Sequence, residues 1–296
     1  LDYILAYPIL FARGIMREIN FDQIVSKIES LCLSANVSLA DGIADCYHKA
    51  LEAEETAMAK SIIADCIENQ KIAFEEKVPL CQDTGLAVFF IKLGDEIKIK
   101  GGLLSDAVAK GVSLGYTKGF LRASSLDDPL YDRKNTRDNT PPIIHTETVS
   151  GDKLEITFIP KGGGAENMSA LKMMSPSAGE KGVIDFVVDT VKNAGGNPCP
   201  PVVIGVGIGS NFEGCALLAK KALLREIGSR NPDARYKALE EKLLTLVNET
   251  GIGPQGFGGK TTAFDLHIEY APCHLASLPV AVNINCHIHR KQTVII

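Results

Sequence analysis

The chain has 296 residues, 45% of them hydrophobic, and carries 31 Lys and Arg against 36 Asp and Glu for a formal net charge of −5. That length and apolar content fill a globular core. Basic residues spread along the chain without forming a stripe exclude nucleic acid as a partner, and no apolar run reaches the eighteen or so residues of a membrane span, which excludes a membrane.

The opening LDYILAYPILFARGI has Asp2 and no basic residue ahead of its apolar run, so it does not read as a signal peptide. Residues 1–15 are expected to be a non-native or disordered extension ahead of Met16. From Phe21 to Glu76 apolar residues recur at helical spacing among many Ala, Glu and Lys, which predicts three or four helices. LAVFFIKLG and EIKIKG then read as strands, SDAVAKGVSLGYTKGFLR as a helix, and SSLDDPLYDRKNTRDNTPP as a long polar loop, functional or mobile. TETVSGDKLEITFIP reads as a strand pair turning at Gly151-Asp152. KGGGAEN is expected to open a helix over MSALKMM, followed by a helix over GEKGVIDFVVDTVKNAG, the loop GNPCPP and the buried strand VVIGVGIG. Two more helices, FEGCALLAKKALLREIG and ARYKALEEKLLTLVNET, precede the glycine loop GIGPQGFGGKTT, and VAVNINCHI reads as the final strand. The pattern predicts an α+β, or mixed α/β, chain: a helical part over about 16–78 ahead of mixed sheets flanked by helices over about 79–296.

Two glycine motifs invite nucleotide readings, and both fail on register. In VVIGVGIGSNFEG the dinucleotide fingerprint would require glycine or alanine where Ser210 or Phe212 stands. In GFGGKTT the phosphate-loop spacing back from Gly259 lands on Pro254, after a helical segment where a strand is needed. The glycines of this loop are better explained by close backbone approach to a small anion or a partner protein. KGGGAEN offers backbone N–H groups at a helix N-terminus, where a carboxylate is favoured, although a flexible turn explains it equally well.

The eight cysteines are scattered along a long chain without a secretory leader, which argues for reduced thiols in a cytoplasm and against a disulfide framework. Cys32, Cys46 and Cys66 lie in helical patterns and are expected in the core. Cys81 in VPLCQDTG, Cys199 in GNPCPP and Cys286 in NINCHIHR stand instead on loops or strand ends stiffened by proline or flanked by polar groups. Three thiolates without a fourth describe a [4Fe–4S] cluster with one open iron. Structural cysteines, or a zinc site made from Cys273-His274 and Cys286-His287-Ile288-His289, are the alternatives.

The segments VPLCQDTGLAVFF, KGGGAENMSALKMMSPSAG, GNPCPPVVIGVGIGSNFEGCALLAKKALLR and GIGPQGFGGKTTAFDLHIEYAPCHLASLPVAVNINCHIHRK, in that order, closely resemble the class I (iron–sulfur) fumarate hydratases and the related L-tartrate dehydratases. The resemblance runs from about residue 20 to the end. It implies a hydro-lyase acting on a small dicarboxylate, most simply fumarate and L-malate, with L-tartrate as the alternative. It further implies cluster ligation by Cys81, Cys199 and Cys286, substrate contacts from Gln82, Asp83, Arg122, Gly163 and Gly164, catalytic roles for Asp83 and His274, and Arg290 as a further candidate. Because the chain stops just after Cys286, it resembles the α subunit of the two-chain form, with residues 16–296 as its catalytic domain. A separate β subunit would then bring the proton-abstracting residue, and the assembly would be a dimer of α/β pairs.

Overall fold

A computed structural model describes residues 16–296, so the expectation for residues 1–15 lies outside the described residues. The chain runs β1 (Arg17–Asn20), α1 (Phe21–Val37), α2 (Ile43–Ala53), α3 (Ala57–Glu76), β2 (Leu86–Gly94), β3 (Ile97–Lys100), α4 (Leu104–Lys118), β4 (Ile143–Val149) and β5 (Leu154–Lys161). It continues with α5 (Gly163–Glu166), β6 (Ala170–Met174), α6 (Gly179–Ala194), β7 (Val202–Ser210), α7 (Phe212–Ala222), α8 (Ala234–Asn248), β8 (Ala263–Cys273), β9 (Leu278–Asn285) and β10 (Gln292–Ile295). This is the α+β architecture expected. Two four-stranded sheets, ordered β10-β5-β2-β4 and β6-β9-β7-β8, are accompanied by a separate two-stranded parallel pair, β1-β3.

Strand alternation and helix stripes build the layers. In β2, Ala87, Phe89 and Ile91 face α1 and α4, with Phe89 stacked on Phe158 at 4.8 Å. Val88 and Phe90 face the other way, into a cluster shared with α2, α3, Val203 of β7 and Ile288. The second sheet buries Ile204, Val206, Leu266, Ile268, Val280 and Val282 against α6 and α8. Its opposite face carries α7 through Cys215 and Ala219. The middle cluster thus fills the seam between the two sheets, and Cys81 and Cys286 border it.

Four local expectations are corrected. Residues 170–174 form a strand rather than a helix, because Ala170–Met174 pairs with β9 and that long-range ladder overrides helical propensity. The turn at Gly151 is real, with φ 112°, but β4 and β5 are not partners. β2 lies between them, parallel to β4 and antiparallel to β5. The segment 263–273 is a strand, and VAVNINCHI is followed by one more, β10, which pairs with β5. Of the expected core cysteines, Cys32 is fully buried, whereas Cys46 and Cys66 are half-buried.

The strand glycines of β7 serve packing. A Cβ on Gly205 would stand 2.1 Å from the Ala219 carbonyl oxygen, and one on Gly207 2.2 Å from that of Cys215. They let α7 lie directly on the strand.

Candidate active site

Three loops meet at the end of the seam between the sheets. The first, between α3 and β2, carries Cys81, Gln82 and Asp83. Leu80 N–H donates to the Asn36 carbonyl at 2.8 Å, and Asn69 donates to the Leu80 carbonyl at 3.0 Å, so the loop is fixed just ahead of the cysteine. The Cys81 thiol points at Gln82 Oε1, 3.3 Å away, and accepts from Asp83 N–H at 3.4 Å. The second loop carries Cys199, exposed and in a left-handed conformation with φ 54°. The third leaves β9 at Cys286. His287 N–H donates to the Cys199 carbonyl at 3.0 Å and ties the second loop to the third. Burial, then the charges of Cys286 and Cys81, push the Cys199 thiol up. Burial likewise raises Cys286, against the Arg290 guanidinium and the Ile288 N–H, which favour its thiolate.

Arg290, 2% exposed, ties the first loop to the third. Its guanidinium donates to Asn36 Oδ1 at 2.9 Å and to the Asp83 carbonyl at 2.9 Å. His287 is held from the other side, its Nδ1 2.6 Å from the Tyr47 hydroxyl.

Both glycine turns expected to bind external anions already hold a carboxylate of this chain. Asp83 accepts from Gly85 N–H through Oδ1 at 3.0 Å and from Gly163 N–H through Oδ2 at 2.8 Å. It therefore closes its own turn and clamps the glycine turn beside it. In the loop 251–262, the buried Glu54 accepts from Lys260 N–H at 3.1 and 2.9 Å and from Thr261 N–H at 2.7 Å. In this chain, then, the N–H groups of Gly163, Lys260 and Thr261 are met by carboxylates of the chain itself. The loop in turn buttresses Cys199, since Gln255 donates to the Pro200 carbonyl through its N–H at 2.7 Å and its side chain at 2.9 Å.

The backbone of Arg122 is brought to the site, its carbonyl accepting from Thr84 Oγ at 2.7 Å. Its side chain is exposed and has no ion-pair partner among the described residues. The polar loop from Ser124 is ordered by side chains. Buried Asn139 donates to the Gly85 carbonyl at 3.0 Å and accepts from Ser124 N–H at 2.7 Å, which fastens the loop to the Cys81 turn.

His274 is not brought to this group. It sits in the turn between β8 and β9, at the opposite end of β9 from Cys286, and the eight residues of that strand span roughly 23 Å. Its Nδ1 accepts from Ala276 N–H at 3.1 Å. The same separation dissolves the zinc alternative that joined Cys273-His274 to Cys286 and its histidines. Among the described residues no three His, Cys, Asp or Glu side chains gather closely enough to hold a single ion.

Asn36, Glu54 and Asn139 were not picked out from the sequence. Each is a polar residue in or beside a helical or polar stretch, and only its tertiary partners distinguish it. Arg290 could be singled out only through the resemblance.

The fumarate hydratase (Fumerase) family profile matches residues 25–295. The chain belongs to this family. It is 42% identical over 270 residues to the putative L(+)-tartrate dehydratase subunit alpha of Methanocaldococcus jannaschii, covering 89% of this chain and 94% of that one. The L(+)-tartrate dehydratase subunit alpha of Escherichia coli O157:H7 is 33% identical over 287 residues, 95% of this chain and 94% of its own. That of E. coli strain K12 has the same identity and coverage. The chain is a hydro-lyase of the fumarate hydratase type. No helix among the described residues is long and apolar enough to cross a membrane.

Proposed function

We propose that the chain is the cluster-bearing α subunit of a two-chain hydro-lyase that removes water from, or adds it to, a C4 dicarboxylic acid, with residues 16–296 as one catalytic unit. The observation that carries the reading is the joining of three cysteine loops, distant in sequence, by His287 N–H on the Cys199 carbonyl and by Arg290 on the Asp83 carbonyl. Cys286 and Cys81 lie near enough for their charges to raise the Cys199 thiol, and Cys81 near enough to act on Cys286, so the three form a donor set that fits a polynuclear group. Cys81, Cys199 and Cys286 would hold it. A [4Fe–4S] cluster with one open iron would supply Lewis acidity for the departing hydroxyl.

The chain's own residues then bind and orient. The free guanidinium of Arg122 takes one substrate carboxylate as a bidentate pair. Gln82, exposed beside the Cys81 thiol, offers an amide to the substrate. Asp83 keeps the glycine turn at Gly163 and Gly164 in register, and a carboxylate retains lone pairs beyond two N–H bonds with which to share a proton. Proton abstraction next to the carboxylate falls to the separate β chain. Within one α chain His274 lies at the far end of β9 from the three thiols, and the catalytic role the resemblance implies for it is kept for the assembled enzyme.

Fumarate and L-malate are the substrates inferred from sequence, while the relatives' names favour L(+)-tartrate for the first assay. The test is anaerobic reconstitution of the α chain with its β partner in a reducing, cytoplasm-like buffer, followed by assay on fumarate, L-malate and L(+)-tartrate. Turnover should require both chains and iron. Full activity from the α chain alone would sink the two-chain reading, and an iron-free active pair would sink the cluster.

A further inference from the structure

Behind Cys286 lies a group of charges to which the proposed chemistry gives no role. Lys161, the last residue of β5, is 1% exposed. Its backbone stands against the end of the Cys81 loop: it pairs with Leu86, and a Cβ on Gly85 would come within 2.6 Å of the Lys161 nitrogen. Its side chain crosses to the end of β9 and donates to the Ile284 carbonyl at 2.7 Å, two residues before Cys286. One buried lysine therefore spans from the end of β5, paired beside the Cys81 loop, to β9, which ends next to Cys286.

Its other partner is Glu166 Oε2 at 2.8 Å. Glu166 is a hub. It also accepts from Lys220 of α7 at 2.5 Å and from Asn283 of β9 at 2.8 Å. Its own N–H donates to the Gly162 carbonyl at 3.0 Å, in the turn that Asp83 clamps. Two lysines against one glutamate leave this group one positive charge. Lys161 is the fully buried cation of the two, whereas Lys220 and Glu166 keep 16% and 35% side-chain exposure, so the positive charge that acts on Cys286 is the one water screens least. The hub also exceeds what fastening a four-residue helix requires, since Asn283 and Lys220 already hold Glu166.

We propose that Lys161 is a positioning residue for the cluster, supplying buried positive charge beneath Cys286 that offsets the negative charge of three thiolates and stabilises the reduced state. The inference rests on the cluster reading given above. Outer residues of this kind set the potential and retention of a metal group through charge.

The experiment uses the reconstituted α/β holoenzyme and reads the midpoint potential of the cluster by EPR-monitored titration, together with iron release to the ferrous chelator bathophenanthroline. Lys161→Met removes the charge at similar length. It should move the potential to a more negative value and speed iron release by roughly tenfold or more, the scale of an outer-residue loss. Lys161→Arg keeps the charge and should stay near the wild-type potential. Lys161→Met combined with Glu166→Gln removes one charge of each sign, and should return the potential toward wild type even though more packing is disturbed. This double variant also serves if the single one folds poorly. An unchanged potential in Lys161→Met, or a double variant shifted further negative than the single, overturns the proposal while leaving the cluster reading intact. A wild-type holoenzyme with neither cluster EPR signal nor iron overturns both.

Discussion

Replacing Glu54 by alanine should loosen the glycine loop that supports Cys199. Glu54 is 2% exposed, and its carboxylate accepts the N–H groups of Lys260 and Thr261. Each donor left without a partner in this part-buried loop costs about 1–3 kcal/mol. With water reaching one of the two, the loss should be about 1–3 kcal/mol, or about 2–5 °C in Tm for a chain of this size. Glu54→Gln keeps one acceptor oxygen and should lose about half as much. The assay is urea unfolding of the metal-free chain, paired with amide exchange over 251–262. Protection should fall first in that loop and then at Cys199, because Gln255 links the two through the Pro200 carbonyl. An alanine variant unfolding within about 0.5 kcal/mol of wild type, the range of a neutral surface change, would refute this account of the glycines.

Serine in place of Cys81, Cys199 or Cys286 should lower bound iron and abolish turnover, whereas Cys273→Ser, at the far end of β9, should leave iron content unchanged; normal iron in Cys199→Ser would strike it from the ligand set. Asp83→Asn keeps the Gly85 bond but sets an amide N–H₂ against Gly163 N–H, so it should reduce kcat by roughly 10²-fold with the iron spectrum intact, and unaltered turnover would confine Asp83 to its turn. Burial, reinforced by the charges of Lys291, His267, Lys161 and Arg290, holds the His289 imidazole down at about 3. The unfolded chain binds that proton from an ordinary value near 6.5, so stability should be fully present above about pH 6.5 and fall as the pH drops toward 3. His289→Gln should flatten that slope in urea midpoints measured from pH 7 to 4, and an equally steep slope in the variant would assign it to other groups.

Much of this protein is set by local sequence. The continuous apolar run LAVFFI, which a strand sends to both faces with Ala87, Phe89 and Ile91 on one and Val88 and Phe90 on the other, marks β2 as buried on both sides before any partner is known. The helical stripes of α1, α6 and α8 fix those helices in the same way, and the unusual settings of Cys81, Cys199 and Cys286 mark them out from the cysteines within helices. What the sequence could not determine is pairing and occupancy. The segment Ala170–Met174 became a strand only because β9 offered it a ladder, and β4 and β5 were separated because β2 entered between them. A glycine turn shows that an anion belongs there, but whether that anion is a substrate or the chain's own Asp83 or Glu54 depends on which carboxylate the fold delivers from 80 or 206 residues away. His274 stands twelve residues from Cys286 along the chain, yet the intervening strand is extended and holds the two at opposite ends of a sheet. Sequence separation carries no such information, because distance in a fold is set by backbone extension and long-range pairing.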